Sequence, residues 1–241
     1  MITDSLRKLW KTVFGDADAF LDCFFATAYA PERCKFYQCD GEVICALYWF
    51  DCSYEGGKLA YIYAVATHPD HRGQGLASRL LSETHAHLQS LGYAGAVLKP
   101  AQGLFPFYQR LGYAPSGFVS RFRAKAGTTV PAAIQDLSPA QYAAARRTFL
   151  PENAVCQEGV TLEFLHSFAQ FYASEDALFC LNREEPVFFE YLGNPDSAPG
   201  ILAALSIGEA EITTFGQDIP YTMWHPLNCT KMPGYLGITL E

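Results

Sequence analysis

Residues 61–81, YIYAVATHPDHRGQGLASRLL, constrain this chain more than any other stretch. An apolar, aromatic-rich run reads as a strand. It enters a Pro- and Gly-containing turn, and the turn enters an amphipathic helical pattern. A strand that empties into a helix N-terminus through Gly73 and Gly75 builds an anion site. The first helical turn has N–H groups with no intrahelical partner, and the helix dipole is positive there. Glycine removes the Cβ that would hold a phosphate at a distance. Arg72 adds a planar cation able to fork onto phosphate oxygens. The segment reads as a pyrophosphate cradle of Arg72, Gly73, Gln74, Gly75, Leu76, Ala77 and Ser78.

Three loop types compete for this role. A G-x-x-x-x-G-K-[ST] loop requires a Lys that the segment lacks. A dinucleotide loop, G-x-G-x-x-G, requires a third Gly where Ser78 stands. The pattern R/Q-x-x-G-x-G/A is satisfied by Arg72 to Ala77. Further on, GLFPFYQRLGY (103–113) supplies F-Y-x-x-x-G-Y through Phe107, Tyr108, Gly112 and Tyr113, and YAGAVLKP (93–100) between them reads as a strand. With both motifs at this spacing the chain resembles the GNAT superfamily, the Gcn5-related N-acetyltransferases. The LRKLWKTVFGD, YAVATHPDHRGQGL, KPAQGLFPFYQRLGY and PGYLGITLE stretches are similar to a group of uncharacterised two-domain bacterial GNAT proteins.

The resemblance implies an α+β fold, a mixed and mostly antiparallel sheet flanked by helices. It implies acetyl-CoA as cosubstrate and a primary amine, of a small molecule or peptide, as acceptor. The coenzyme's pantetheine arm is expected along the strand at Val65, Ala66 and Thr67, with its pyrophosphate on the Arg72–Ser78 amides. Tyr108 matches the family's general acid: a phenol with a pKa of about 10 keeps its proton at neutral pH and can give it to a departing thiolate. Two positions depart from the family pattern. Tyr61 stands where some members have a Glu base, and a phenol is a poor base near pH 7. Ala101 stands where many have a pantetheine-binding Asn, with Lys99 and Gln102 nearby. Glu55, through water, or the C-terminal Glu241 behind the apolar GITL run, is the expected route for the amine's proton. The alternative is a non-catalytic GNAT-fold protein that binds or senses acetyl-CoA.

Composition narrows the classes. Half of the 241 residues are apolar and 15% are aromatic, enough for a large core. A net charge of −8 argues against a nucleic-acid partner, because phosphate contacts need a basic face. No apolar run is long enough to span a membrane, and MITDSLRKLWKTVFGD does not read as a signal peptide. The eight cysteines form no C-x-x-C pair, so buried free thiols in the cytoplasm are expected. His68 and His71 lack matching ligands, so no metal is expected.

Along the chain, SLRKLWKTVF and DADAFLDCFFATAY read as helices, the second capped by Asp16. Asp40-Gly41 reads as a hairpin turn, and Gly56-Gly57 as the next. The helix from Gln74 to Leu91 is expected to bury Leu76, Ala77, Leu80, Leu81, Leu88 and Leu91. FVSRFRAK (118–125) closes the first half. Residues 124–133 read as a linker, dividing a coenzyme-binding catalytic domain (1–127) from a smaller, degenerate GNAT-like domain (131–241). There SPAQYAAARRTFL, GVTLEFLHSFAQFY and 199–207 read as helices. DALFCLN, PVFFEYLG, AEITTF, PYTMWHPL and YLGITL read as strands. Tyr29, Phe36, Tyr48 and Trp49 are candidates for an acceptor pocket. An exposed edge strand could pair with a second copy of the chain.

Overall fold

The computed structural model describes residues 2–127, 132–182 and 184–240, and these form a mixed α+β fold. They divide into two compact units. The first runs up to Ala114 and takes in Met223–Met232; the second holds Pro115–Thr222 and the chain from Pro233 on.

The first unit is built from α1 (Ile2–Phe14), α2 (Asp18–Cys23), β1 (Cys34–Cys39), β2 (Glu42–Tyr54), β3 (Gly57–Thr67), α3 (Leu76–Ser90), β4 (Gly95–Leu98) and α4 (Phe105–Arg110). Its strands lie in the order β1-β2-β3-β4, antiparallel except for β3 beside β4. That parallel pair needs a crossover, and α3 supplies it. Both sheet faces are covered, so β2 is buried without a break from Cys45 to Phe50. On one face Cys45, Leu47, Trp49, Ala60 and Ile62 meet Leu80, Leu81 and Leu88 of α3. On the other, Trp10 of α1 and Phe24 pack their rings against Tyr48 and Tyr63.

The sheet is completed from far along the chain. Residues 223–226 pair antiparallel with β4, from Met223↔Leu98 to Pro226↔Gly95. Gly95 admits this segment: a Cβ there would stand 1.8 Å from the Trp224 ring. Asn228 Nδ2 then donates to the carbonyls of Gln89 and Tyr93 at 2.8 and 2.9 Å. Tyr54 Oη donates to Lys231 O at 2.6 Å.

The second unit holds β5 (Ala114–Lys125, from Pro115 on), β6 (Gln135–Leu137), α5 (Pro139–Phe149), α6 (Val160–His166), β7 (Ala169–Ala173), β8 (Ala177–Asn182), β9 (Phe188–Gly193), α7 (Ala198–Ala204), β10 (Glu209–Phe215) and the start of β11 (Ile219–Pro226). Its strands run β5-β10-β9-β8-β7-β6, with β9 and β10 the parallel pair. One face packs Phe179, Tyr191 and Ile212 against Ile201 and Leu202 of α7. Beneath α5, Arg146 donates from Nε and Nη2 to the two oxygens of Glu190 at 2.7 and 2.8 Å. Tyr142 donates to the same carboxylate at 2.8 Å. Arg146 Nη1 also reaches Val155 O at 3.1 Å, and Val155 N donates to Tyr235 O at 2.8 Å. The buried pair is fully hydrogen-bonded, the condition under which such burial is tolerated.

Several local expectations change. The second N-terminal helix stops at Cys23 and continues as one π turn, Phe24–Ala28. Asp16 does not cap it but accepts from Trp10 Nε1 at 2.7 Å. GVTLEFLHSFAQFY is a helix only to His166, and 169–173 is strand β7, because Phe171 is needed in the core beside Tyr142. YLGITL is buried but forms no ladder. α3 turns Leu91 outward, 55% exposed, and buries Thr84 and His85 instead. The compact units part between 114 and 115, so residues 118–125 fall in the second unit. Residues 128–131 of the expected linker lie outside the described residues.

Candidate active site

The cradle sits where β3 hands over to α3. Pro69–His71 make one 3₁₀ turn, capped by His68, and Arg72 Nε donates back to Thr67 O at 3.2 Å, tying the turn to the strand end. Gly73 and Gly75 take φ of +77° and +74°. This left-handed geometry favours glycine, and it leaves open space where a Cβ would point. α3 proper begins at Leu76, two residues later than expected, with Gly75 as N-cap and no side chain capping it. Among the described residues the amides of Gly75 to Ser78 show no backbone acceptor, and no acidic residue stands in the first turn. These unspent donors and the glycines fit a pyrophosphate.

The strand feeding the cradle is bent. Ala46 pairs with Ala66 and Tyr48 with Tyr63, so Leu47 faces two residues, Ala64 and Val65. This is a β-bulge, and Ala64 carries it at φ +49°. On the other side of β3 the parallel ladder to β4 ends at Tyr61↔Val97. Ile62–Thr67 run on beyond it.

A cleft of about 330 Å³ opens here. Val65 and Thr67 line it from β3, His71, Arg72, Gly73 and Gly75 from the turn, Leu76, Ala77 and Ser78 from α3, and Leu104, Phe107 and Tyr108 at α4. Tyr108 is 6% exposed, its ring edge-on to Phe107 and Tyr113. Ala66, next along the strand, turns into the core, and Gln74 points to solvent. His71 and Leu104 carried no motif signal; they reach the cleft because the turn and α4 face each other across it.

The expected proton routes fare differently. Glu55 stands in the turn between β2 and β3, at the end of β3 remote from Thr67 by about 30 Å of strand rise, and pairs with Lys231 at 2.6 Å. It is not a base for this cleft. Tyr61 is buried against Phe50. The α4 side of the wall is Leu104, Phe107 and Tyr108 rather than Lys99 or Gln102. Glu241 lies outside the described residues. Tyr48 and Trp49 are core residues rather than pocket lining.

All eight cysteines are free thiols. Among the described residues no three His, Cys, Asp or Glu side chains gather as a metal-binding set. None of the described helices is long and apolar enough to cross a membrane.

Residues 3–116 match the family model described as an acetyltransferase (GNAT) domain. No curated protein matches the chain in sequence. Among solved structures, a conserved protein of unknown function from Enterococcus faecalis superposes with a TM-score of 0.67 at 17% identity, over 94% of this chain and 70% of that one. GCN5-related N-acetyltransferases from Kribbella flavida (TM-score 0.66, 16% identity, 94% and 70%) and Anabaena variabilis (0.67, 14%, 94% and 70%) do likewise. At these identities the likeness is one of fold. The family model rests on sequence, and it spans the same segment that holds the cradle and the F-Y motif. Residues 3–116 therefore carry a GNAT acetyltransferase domain.

Proposed function

We propose that the protein transfers an acetyl group from acetyl-CoA to a primary amine of a small molecule or peptide. The unpaired amides from Gly75 to Ser78, in a cleft that Tyr108 also lines, carry the reading. The cradle residues hold the pyrophosphate. The stretch of β3 beyond the β4 ladder gives its backbone to the pantetheine arm, and main-chain donors near Val65 orient the thioester carbonyl and stabilise its oxyanion. The amine nitrogen attacks the carbonyl carbon, the C–S bond breaks, and the thiolate takes the Tyr108 proton. The ammonium formed loses its proton to solvent.

Calorimetry with acetyl-CoA and a free-thiol assay across amines, peptides and aminoglycosides test this together. Tyr108→Phe should lower turnover about 100-fold or more and leave the acetyl-CoA Kd within about twofold. Absence of acetyl-CoA binding by the native protein would overturn the reading. A second reading, binding without transfer, is favoured by one observation: among the described residues no carboxylate lines the cleft to take the amine's proton. Binding with no thiol release from any acceptor is its signature.

The second unit we read as a degenerate copy of the first that has lost the cradle. In each unit three antiparallel strands lead into a parallel pair crossed by a helix. HPDHRGQGLA (68–77) has its counterpart in NPDSAPGILA (194–203). Asn194 caps the Pro195–Ser197 turn just as His68 caps Pro69–His71. The helix then starts at Ala198 with Pro199 in its first turn, and no Gly-x-Gly precedes it.

A further inference from the structure

Behind Tyr108 lies a buried polar cluster that the proposed reaction does not use. Tyr113 is enclosed, and its hydroxyl stands 2.8 Å from His85 Nε2. Burial pushes the Tyr113 phenol well up. Burial, with the nearby His225 second, pulls the His85 imidazole down to about 3. At neutral pH both groups are therefore uncharged, and a single neutral hydrogen bond joins them, its direction set by the His85 tautomer. The far face of His85 stacks on His225 at 4.1 Å and 12°. The Tyr113 ring meets Tyr108 edge-on at 5.5 Å and 73°. One hydrogen bond thus joins α3, whose N-terminus is the cradle, to the turn after α4, whose last residues carry Tyr108. The C-terminal segment clamps it through His225.

A buried hydrogen-bonded pair gives little net stability over an apolar pair of the same shape, but it fixes one geometry where apolar rings can settle in several. We propose that His85 is a positioning residue for Tyr108: by hydrogen-bonding the Tyr113 hydroxyl it fixes the ring against which the Tyr108 phenol is set. The proposal rests on Tyr108 being the proton donor of the acetyl transfer.

The test is the set His85→Phe, Tyr113→Phe and the double variant. Each single change strands a polar atom in the core, and His85→Phe may not be assumed to fold. The double variant removes both atoms and should recover thermal stability. Its kcat should nonetheless stay about tenfold or more below native, with KM and Kd for acetyl-CoA within about twofold. A kcat that returns to the native level along with stability overturns the proposal. Tyrosine labelled at Cζ gives a readout free of turnover, with the Tyr108 carbon resonance assigned through Tyr108→Phe. It should shift or broaden in the double variant; an unchanged resonance overturns the proposal as well. Should the native protein bind acetyl-CoA but release no thiol with any acceptor, the transfer reading fails alone, and the resonance still decides whether His85 sets Tyr108.

Discussion

His85 makes acid the condition that weakens this protein. Its imidazole is depressed from the ordinary value to about 3, first by burial and then by His225. Between that value and about 6.5 the unfolded chain holds a proton that the native state does not, so stability is full above pH 6.5 and falls as pH drops below it. At pH 5 the loss from this one group is about 2 kcal/mol, and it depends on the unfolded pKa far more than on the folded one. Urea unfolding of the native protein and of the His85→Phe/Tyr113→Phe variant, at pH 7.5 and 5, checks this: the native protein should lose about 2 kcal/mol more. Equal losses would count against it. Residues with a chemical reason at a fixed spacing were legible in the sequence: Arg72, Gly73, Gly75 and Tyr108 were all assigned by motif, and all line one cleft. His85 was not legible, because nothing local marks a helix His as buried when its partners, Tyr113 and His225, lie on other elements.

At the scale of elements, the bulge in β3 sets which side chains face the cleft. Side chains alternate along a strand, so removing one residue flips all that follow. Deleting Ala64 should turn Val65 and Thr67 away from the cleft and abolish acetyl-CoA binding by calorimetry. Ala64→Gly, which suits φ +49° better, should keep binding and leave stability equal or higher by about 1 kcal/mol. Retained binding in the deletion would show that the bulge does not aim the strand. α3 was legible from its period, since Leu80, Leu81 and Leu88 recur on one face. The bulge was not, because alanine carries no signal for a left-handed backbone. The reading of 159–172 as one helix failed for a related reason. Phe164, Leu165 and Phe168 continue a helical spacing, and only the demand for Phe171 beside Tyr142 ends it.

At the scale of the whole molecule, the family model ends at residue 116, yet the unit that holds the cleft does not. A fragment of residues 1–127 lacks the strand that pairs with β4, the Asn228 donors to Gln89 and Tyr93, and His225 on His85. It should show no cooperative thermal unfolding and no acetyl-CoA binding, whereas the full chain should show both; a well-folded, coenzyme-binding fragment would contradict this. The mixed sheet and the order of elements were legible because strand and helix periods are local. The boundary was not, because Asn228 and Gln89 meet across 139 positions of sequence. That separation reaches into synthesis. A ribosome makes the cradle well before the strand that completes its sheet. The coenzyme unit must wait as an open-edged intermediate while the second unit emerges, a long-range closure that makes folding slow and exposes the β4 edge to aggregation meanwhile. An mRNA cut short between the cradle and Met223 should then yield a first unit whose sheet stays open at β4.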